Sequence, residues 1–140
     1  MQIGIAKETW PGEVRAAMVP GNAKKLIKQG FKVIIEKNLG ETCGFSDSDY
    51  ETAGAQVAEN RTEVLSQADI VLAVRKLADA DVSLLKRGSL LISFLDPFNE
   101  KSLVQKIAMQ GVNLISMEMV PRSTRAQKMD ALSSQANLAG

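Results

Sequence analysis

Histidine is absent from these 140 residues, and cysteine occurs once, at Cys43. Without an imidazole the chain lacks the commonest general base, the usual Ser-His and Cys-His nucleophile pairs, and every histidine-containing metal site. A single thiol excludes an internal disulfide and a multi-cysteine zinc centre. Aromatic residues are scarce at 4%, and neither sign of charge prevails, since 17 basic and 16 acidic side chains leave a net charge of +1. Such a balance gives no electrostatic reason to bind nucleic acid or an acidic membrane surface. No apolar run approaches membrane-spanning length, and Met1 leads straight into Ile3-Gly4-Ile5-Ala6 without a basic leader. The expectation is a soluble, cytoplasmic chain that does not itself insert into a membrane. Missing too are the G-x-G-x-x-G turn and the P-loop, the backbone cradles that hold phosphates at a helix N-terminus.

What remains is ordinary for one globular domain over 1–140: 45% hydrophobic residues, 24% charged, 10 glycines and 4 prolines. That length supports a real core, and the composition excludes disorder. Short β-rich runs alternate with stretches of helical period. Strands are expected at Gln2–Ala6, Lys32–Glu36, Ile70–Val74, Leu90–Phe94 and Asn113–Ser116, buried on both faces. Helices are expected at Gly21–Gln29 before Gly30, Arg61–Gln67 under an Asn60 cap, Val82–Lys86 before Gly88, and Glu100–Gln110 before Gly111. The alternation predicts a three-layer α/β fold: a mostly parallel sheet of about five strands with helices on both faces, Rossmann-like but without the Gly-rich dinucleotide turn.

In such sheets ligands gather beyond the carboxyl ends of the strands. The loop after the first strand, Lys7 to Arg15, carries Glu8, Glu13 and Arg15, and its arginine could clamp a carboxylate or phosphate bidentately. Equally, Glu13 and Arg15 could form an ordinary surface pair, and Trp10 beside Pro11 could be packing. Arg75 and Lys76 follow the third strand, and Asp96, Pro97 and Asn99 follow the fourth. Cys43, between Gly40 and Gly44, has no histidine to activate it and reads as structural. Near the end, Arg122 to Lys128 is polar and basic, and helix formers follow Asp130. A helix beginning there would put Asp130 and Ser133 on one face, either to hold a ligand amide or hydroxyl or simply as a cap and a small-residue packing surface.

Gly4-Ile5-Ala6-Lys7-Glu8, Gly12-Glu13-Val14-Arg15-Ala16-Ala17 with Pro20, and Arg122 to Gly140 together resemble the N-terminal domain shared by alanine dehydrogenases and the alpha subunit of proton-translocating NAD(P) transhydrogenase. Pro121-Arg122, Arg125-Ala126-Gln127 and Asp130-Ala131-Leu132-Ser133-Ser134 are similar to the transhydrogenase branch in particular. That resemblance implies an NAD(H)-binding component of an enzyme that passes hydride from NADH to NADP+ and couples this to proton movement. It assigns Arg122, Asp130 and Ser133 to the nicotinamide carboxamide and ribose of NAD(H), and Gln127 toward the NADP(H) held by a partner subunit. Gln127 and Asp130 are the expected catalytic positions, and no metal is implied. The expected partners are the rest of the alpha subunit, a membrane domain and an NADP(H)-binding beta subunit, with homodimerisation. The location implied is cytoplasmic, peripheral to the inner membrane. A Gly-rich NAD-binding domain is expected to follow, so these residues alone would form one wall of the cleft, bind the cofactor poorly and be inactive.

The alternative is an alanine dehydrogenase, whose pattern places an Arg in the first loop, a Lys after the third strand and a His after the fourth. Here Arg15 fits, but Arg75 and Asp96 stand at the other two positions. A further alternative is a non-catalytic α/β binding module.

Overall fold

The computed structural model describes residues 1–96 and 99–117. Six strands form one fully parallel sheet: β1 (Gln2–Ile5), β2 (Lys32–Glu36), β3 (Gln56–Ala58), β4 (Ile70–Leu72), β5 (Leu90–Ser93) and β6 (Asn113–Ser116), in the order β3-β2-β1-β4-β5-β6. The helices are α1 (Pro20–Lys28), α2 (Asp47–Thr52), α3 (Arg61–Gln67), α4 (Asp79–Val82) and α5 (Lys101–Met109), with a 3₁₀ turn at Glu41–Cys43. This is the expected Rossmann-like layering with one strand more than the sequence suggested. The additional strand, β3, is three residues long and among the described residues pairs only with β2, too short for alternation to register.

Register explains the layers. Ile3, Ile5, Val33 and Ile35 share one face with α1, α2, the buried Met18 and Tyr50. Gly4, Ile34, Val71 and Leu91 share the other, beneath α3 and α5. Gly4 is required there because a Cβ would come within 2.6 Å of Ala68 Cβ and 3.1 Å of Val64 Cγ1 on α3. Leaving out that methyl lets α3 lie directly on β1.

Burial on both faces holds for Ile3 to Ile5 and for Val33 to Ile35, but not across the rest of the sheet. Val71 and Leu91 are buried, whereas Ile70, Leu72, Leu90 and Ile92 on the opposite face are only half-buried. The reason is topological: α1 and α2 pack over β2 and β3, and among the described residues no helix covers β4 to β6 on that face.

Local rules set most boundaries. Pro20 opens α1 at N1, where its missing N–H costs nothing. Asn60 caps α3 by accepting from Glu63 N–H at 2.9 Å. Ser46 and Asp49 form a reciprocal capping box on α2, which hydrophobic period could not reveal in Asp47-Ser48-Asp49-Tyr50-Glu51-Thr52. The helix expected at Val82–Lys86 instead runs Asp79–Val82, with Asp79 and Asp81 in its first turn.

Candidate functional site

The strand order reverses between β1 and β4, so the loops that follow these two strands diverge and leave a crevice at the carboxyl edge of the sheet. A cleft of about 150 Å³ lies beside the β4 arm of that reversal, lined by Ala16 and Ala17 from the first loop, by Leu72, Ala73 and Val74 at the end of β4, and by Ile92, Phe94 and Met117. The side chains that line it are all apolar, with backbone polar atoms between them. It opens on the half-covered face of the sheet, since Leu72 and Ile92 are among the half-buried residues there.

Charged groups at the mouth are already paired within the chain. Glu13 Oε1 accepts from Arg15 Nη2 at 2.7 Å and from Arg75 Nε at 2.9 Å, while its Oε2 accepts from Arg15 Nε at 2.9 Å and Arg15 N–H at 3.0 Å. The Glu13–Arg15 pair that the sequence left open therefore forms, with the Glu13 side chain 4% exposed and the Arg15 side chain 36% exposed. The hydrogen bonds from Arg15 hold the Glu13 carboxyl at about 2, well below its ordinary 4.5, and raise Arg15 in turn. Arg15 therefore clamps a carboxylate, as its residue type suggested, but the carboxylate is the chain's own.

Glu8 does the same for backbone. Its two oxygens accept from the successive amides of Val74, 3.0 Å, and Arg75, 2.8 Å. Paired N–H groups of this kind form a concavity suited to an anion, and here Glu8 fills it. Burial pushes the Glu8 carboxyl above its ordinary value against the lowering effect of those two amides. Beside them, Trp10 donates from its indole nitrogen to Lys76 C=O at 3.3 Å, with Lys76 Nζ 5.1 Å and the Arg75 guanidinium 5.9 Å from its ring centre. Lys76 also pairs with Glu100. Trp10, 42% exposed, therefore braces the first loop against the β4 loop.

The remaining candidates have plain roles. Cys43 Sγ and Thr42 Oγ both donate to Val14 C=O, at 2.8 and 2.9 Å, and pin the first loop, so Cys43 is structural. Asp96 adopts a left-handed conformation at φ 54° and accepts through its carboxylate from Asn99 Nδ2 at 2.9 and 3.1 Å, forming a turn before α5. Among the described residues no group of three or more His, Cys, Asp or Glu could hold a metal, and no helix is long and apolar enough to cross a membrane. Arg122, Gln127, Asp130 and Ser133 lie outside the described residues. Sequence reasoning missed Glu8 as a brace and missed Arg61 and Asp81 altogether, because nothing in their spacing reveals that three distant segments meet.

The model of the family described as alanine dehydrogenase/PNT, N-terminal domain, matches residues 4–139. The chain belongs to that family. Within it, the NAD(P) transhydrogenase subunit alpha of Cereibacter sphaeroides is 44% identical over all of this chain and 27% of the relative. The NAD(P) transhydrogenase subunit alpha of Haemophilus influenzae is 34% identical, over all of this chain and 27% of its own length. Alanine dehydrogenase 1 of Staphylococcus aureus strain N315 is 33% identical over 95% of this chain and 35% of its own. Among solved structures, a transhydrogenase from Sinorhizobium meliloti superposes with a TM-score of 0.93 at 38% identity, covering 99% of this chain and 41% of the other. An L-alanine dehydrogenase gives 0.84 at 30% identity, covering 89% and 34%. This alanine dehydrogenase/PNT N-terminal domain thus spans between about a quarter and two fifths of these relatives' own chains.

Proposed function

We propose that this domain is part of the NAD(H)-binding component of proton-translocating NAD(P) transhydrogenase and forms one wall of the nicotinamide cleft. The observation that carries the reading is the apolar crevice at the strand reversal, whose neighbouring charges are spent on one another. Such a wall suits a flat, weakly polar ring, and among the described residues Arg15 and Arg75 beside it are both paired with Glu13. It does not suit a pyrophosphate, because the successive amides at Val74 and Arg75 are occupied by Glu8. Full cofactor binding then depends on a second, Gly-rich domain.

When bound, NAD(H) supplies the hydride carrier. The chain's own residues contribute placement: Ala16, Ala17, Leu72, Val74, Ile92 and Phe94 present an apolar surface that excludes water from the reacting ring. Hydride transfer between two nicotinamides moves no proton at the reacting carbon, so a site without histidine is chemically sufficient. By motif, Arg122, Asp130 and Ser133 are assigned to the carboxamide and ribose, and Gln127 to the side of the NADP(H) held by a partner beta subunit. The complex contains the rest of the alpha subunit, a membrane domain and a second copy of this chain, and this domain sits in the cytoplasm against the inner membrane.

The second reading, an alanine dehydrogenase, is favoured by Arg15 standing next to the cleft residues Ala16 and Ala17. The deciding experiment uses the full-length protein with its partner subunits, assaying NADPH-dependent reduction of an NAD analogue beside NAD-dependent turnover of L-alanine. Transfer to the analogue without alanine turnover is the expected result. Alanine turnover alone establishes the second reading, and neither activity favours a non-catalytic binding module.

A further inference from the structure

Arg61, at the start of α3, reaches three other elements. Its Nε and Nη2 donate to the two carboxylate oxygens of Asp81 on α4, at 3.0 and 2.8 Å, and its Nη1 donates to Lys7 C=O at 3.2 Å and lies 3.5 Å from Glu36 Oε1 at the end of β2. Glu36 Oε1 in turn accepts from Lys7 N–H at 2.8 Å. Both peptide groups of Lys7, where the chain leaves β1, are therefore held from outside the loop. The next residue is Glu8, which holds the amides of Val74 and Arg75, and from Arg75 the chain runs on to Asp81. A closed ring results: Asp81, Arg61, the Lys7 backbone, Glu8, the β4 loop, and back to Asp81. The side chains of Arg61, Glu36 and Asp81 are 23%, 17% and 11% exposed, and the gap the ring residues enclose is about 10 Å³, room for one water at most.

We propose that Arg61, with Asp81, is a positioning residue that sets the spacing of the two loops flanking the strand-reversal crevice. The hydrogen bonds and ion pairs of Arg61 go to Asp81, Lys7 and Glu36 and not to the lining of that crevice, so it acts through Lys7 and Glu8. An arginine is needed because a planar fork can satisfy a carboxylate bidentately and still direct a third N–H to a carbonyl, whereas a lysine offers one point charge. Only the kinetic arm of the test below rests on the transhydrogenase reading.

The test compares Arg61→Lys, Arg61→Lys with Asp81→Glu, and Lys86→Met in the full protein that carries this chain. Lys86 pairs with Asp69 at 2.7 Å at the opposite edge of the sheet and controls for loss of an ion pair as such. Amide hydrogen exchange is read first. Arg61→Lys is expected to speed exchange at Lys7, Val74 and Arg75 by about tenfold or more, with the core strands unchanged. The double variant, which restores the combined reach of the pair, recovers part of the protection, and Lys86→Met leaves these amides as they were. In hydride transfer, Arg61→Lys is expected to lower kcat by about tenfold with KM changed less than about threefold, the pattern of misplacement rather than lost binding. Unchanged exchange at the three amides, or acceleration spread evenly over the sheet, overturns the proposal, as does a wild-type kcat accompanying local loosening. If the unmutated protein transfers no hydride, the transhydrogenase reading falls, while the exchange data still decide whether Arg61 sets the loops.

Discussion

Replacing Glu13 by glutamine keeps the shape of the loop and removes one charge from the middle of two arginines. Glu13 in the folded protein holds its proton only below about 2, against 4.5 ordinarily, chiefly because Arg15 donates to it. A carboxyl lowered in this way stabilises the fold fully above its unfolded value and loses that contribution as pH falls from 4.5 through 2. Complete transfer of the shift would give about 3 kcal/mol at neutral pH. The arginines are 36% and 52% exposed, so solvent screening brings the expected loss in Glu13→Gln to about 1–2 kcal/mol. The assay is urea denaturation of both proteins at pH 7 and pH 3. The difference at pH 3 should be roughly half that at pH 7, because native Glu13 is still ionised there while the unfolded carboxyl has taken up its proton, so folding must release it. A pH-independent difference would show that Glu13 acts through packing and not charge, and a difference near zero at pH 7 would refute the internal clamp.

Three further outcomes follow, two from contacts in the fold and one from the closing motif. Gly4→Ala drives a methyl to within 2.6 Å of Ala68 Cβ and should destabilise the fold by about 1–3 kcal/mol in denaturant titration; equal stability would mean that α3 is free to shift away from β1. Tyr50, the only tyrosine of the chain, is fully buried, and its hydroxyl donates to Met18 C=O at 2.8 Å. Burial pushes its phenol up to about 12, so ultraviolet absorbance should show ionisation there, and the fold should lose stability as pH rises from 10 toward 12; titration at the ordinary value would contradict the burial. In the full-length complex, Asp130→Asn should cut hydride transfer by about tenfold or more with folding intact by circular dichroism, and an unchanged rate would remove Asp130 from the site.

The layered parallel fold is legible in the one-dimensional pattern because buried central strands are short apolar runs and the intervening helices end at glycine. Lys32–Glu36 and Arg61–Gln67 need nothing beyond period and cap to be located. Edge elements are a different matter. Among the described residues Gln56–Ala58 pairs on one side only, and Asp47–Thr52 buries essentially Tyr50 alone, so neither leaves a periodic trace. Residue types in the first loop announce Arg15 as a carboxylate clamp, yet its partner depends on which side chain reaches it first, and Glu13 is two residues away.

Composition and local rules were enough to decide the chemistry this chain forgoes, the α/β class, most helix ends and, through its motifs, the family. Among the described residues, tertiary structure alone decided the half-covered face, the crevice beside the strand reversal, the filling of the Val74–Arg75 amides by Glu8, and the meeting of Arg61 with Lys7 and Asp81. Those contacts join residues separated by 20 to 67 positions. Propensity and capping act over a few residues, and long-range pairing is settled only when strand order and helix placement bring the ends of different strands to the same edge.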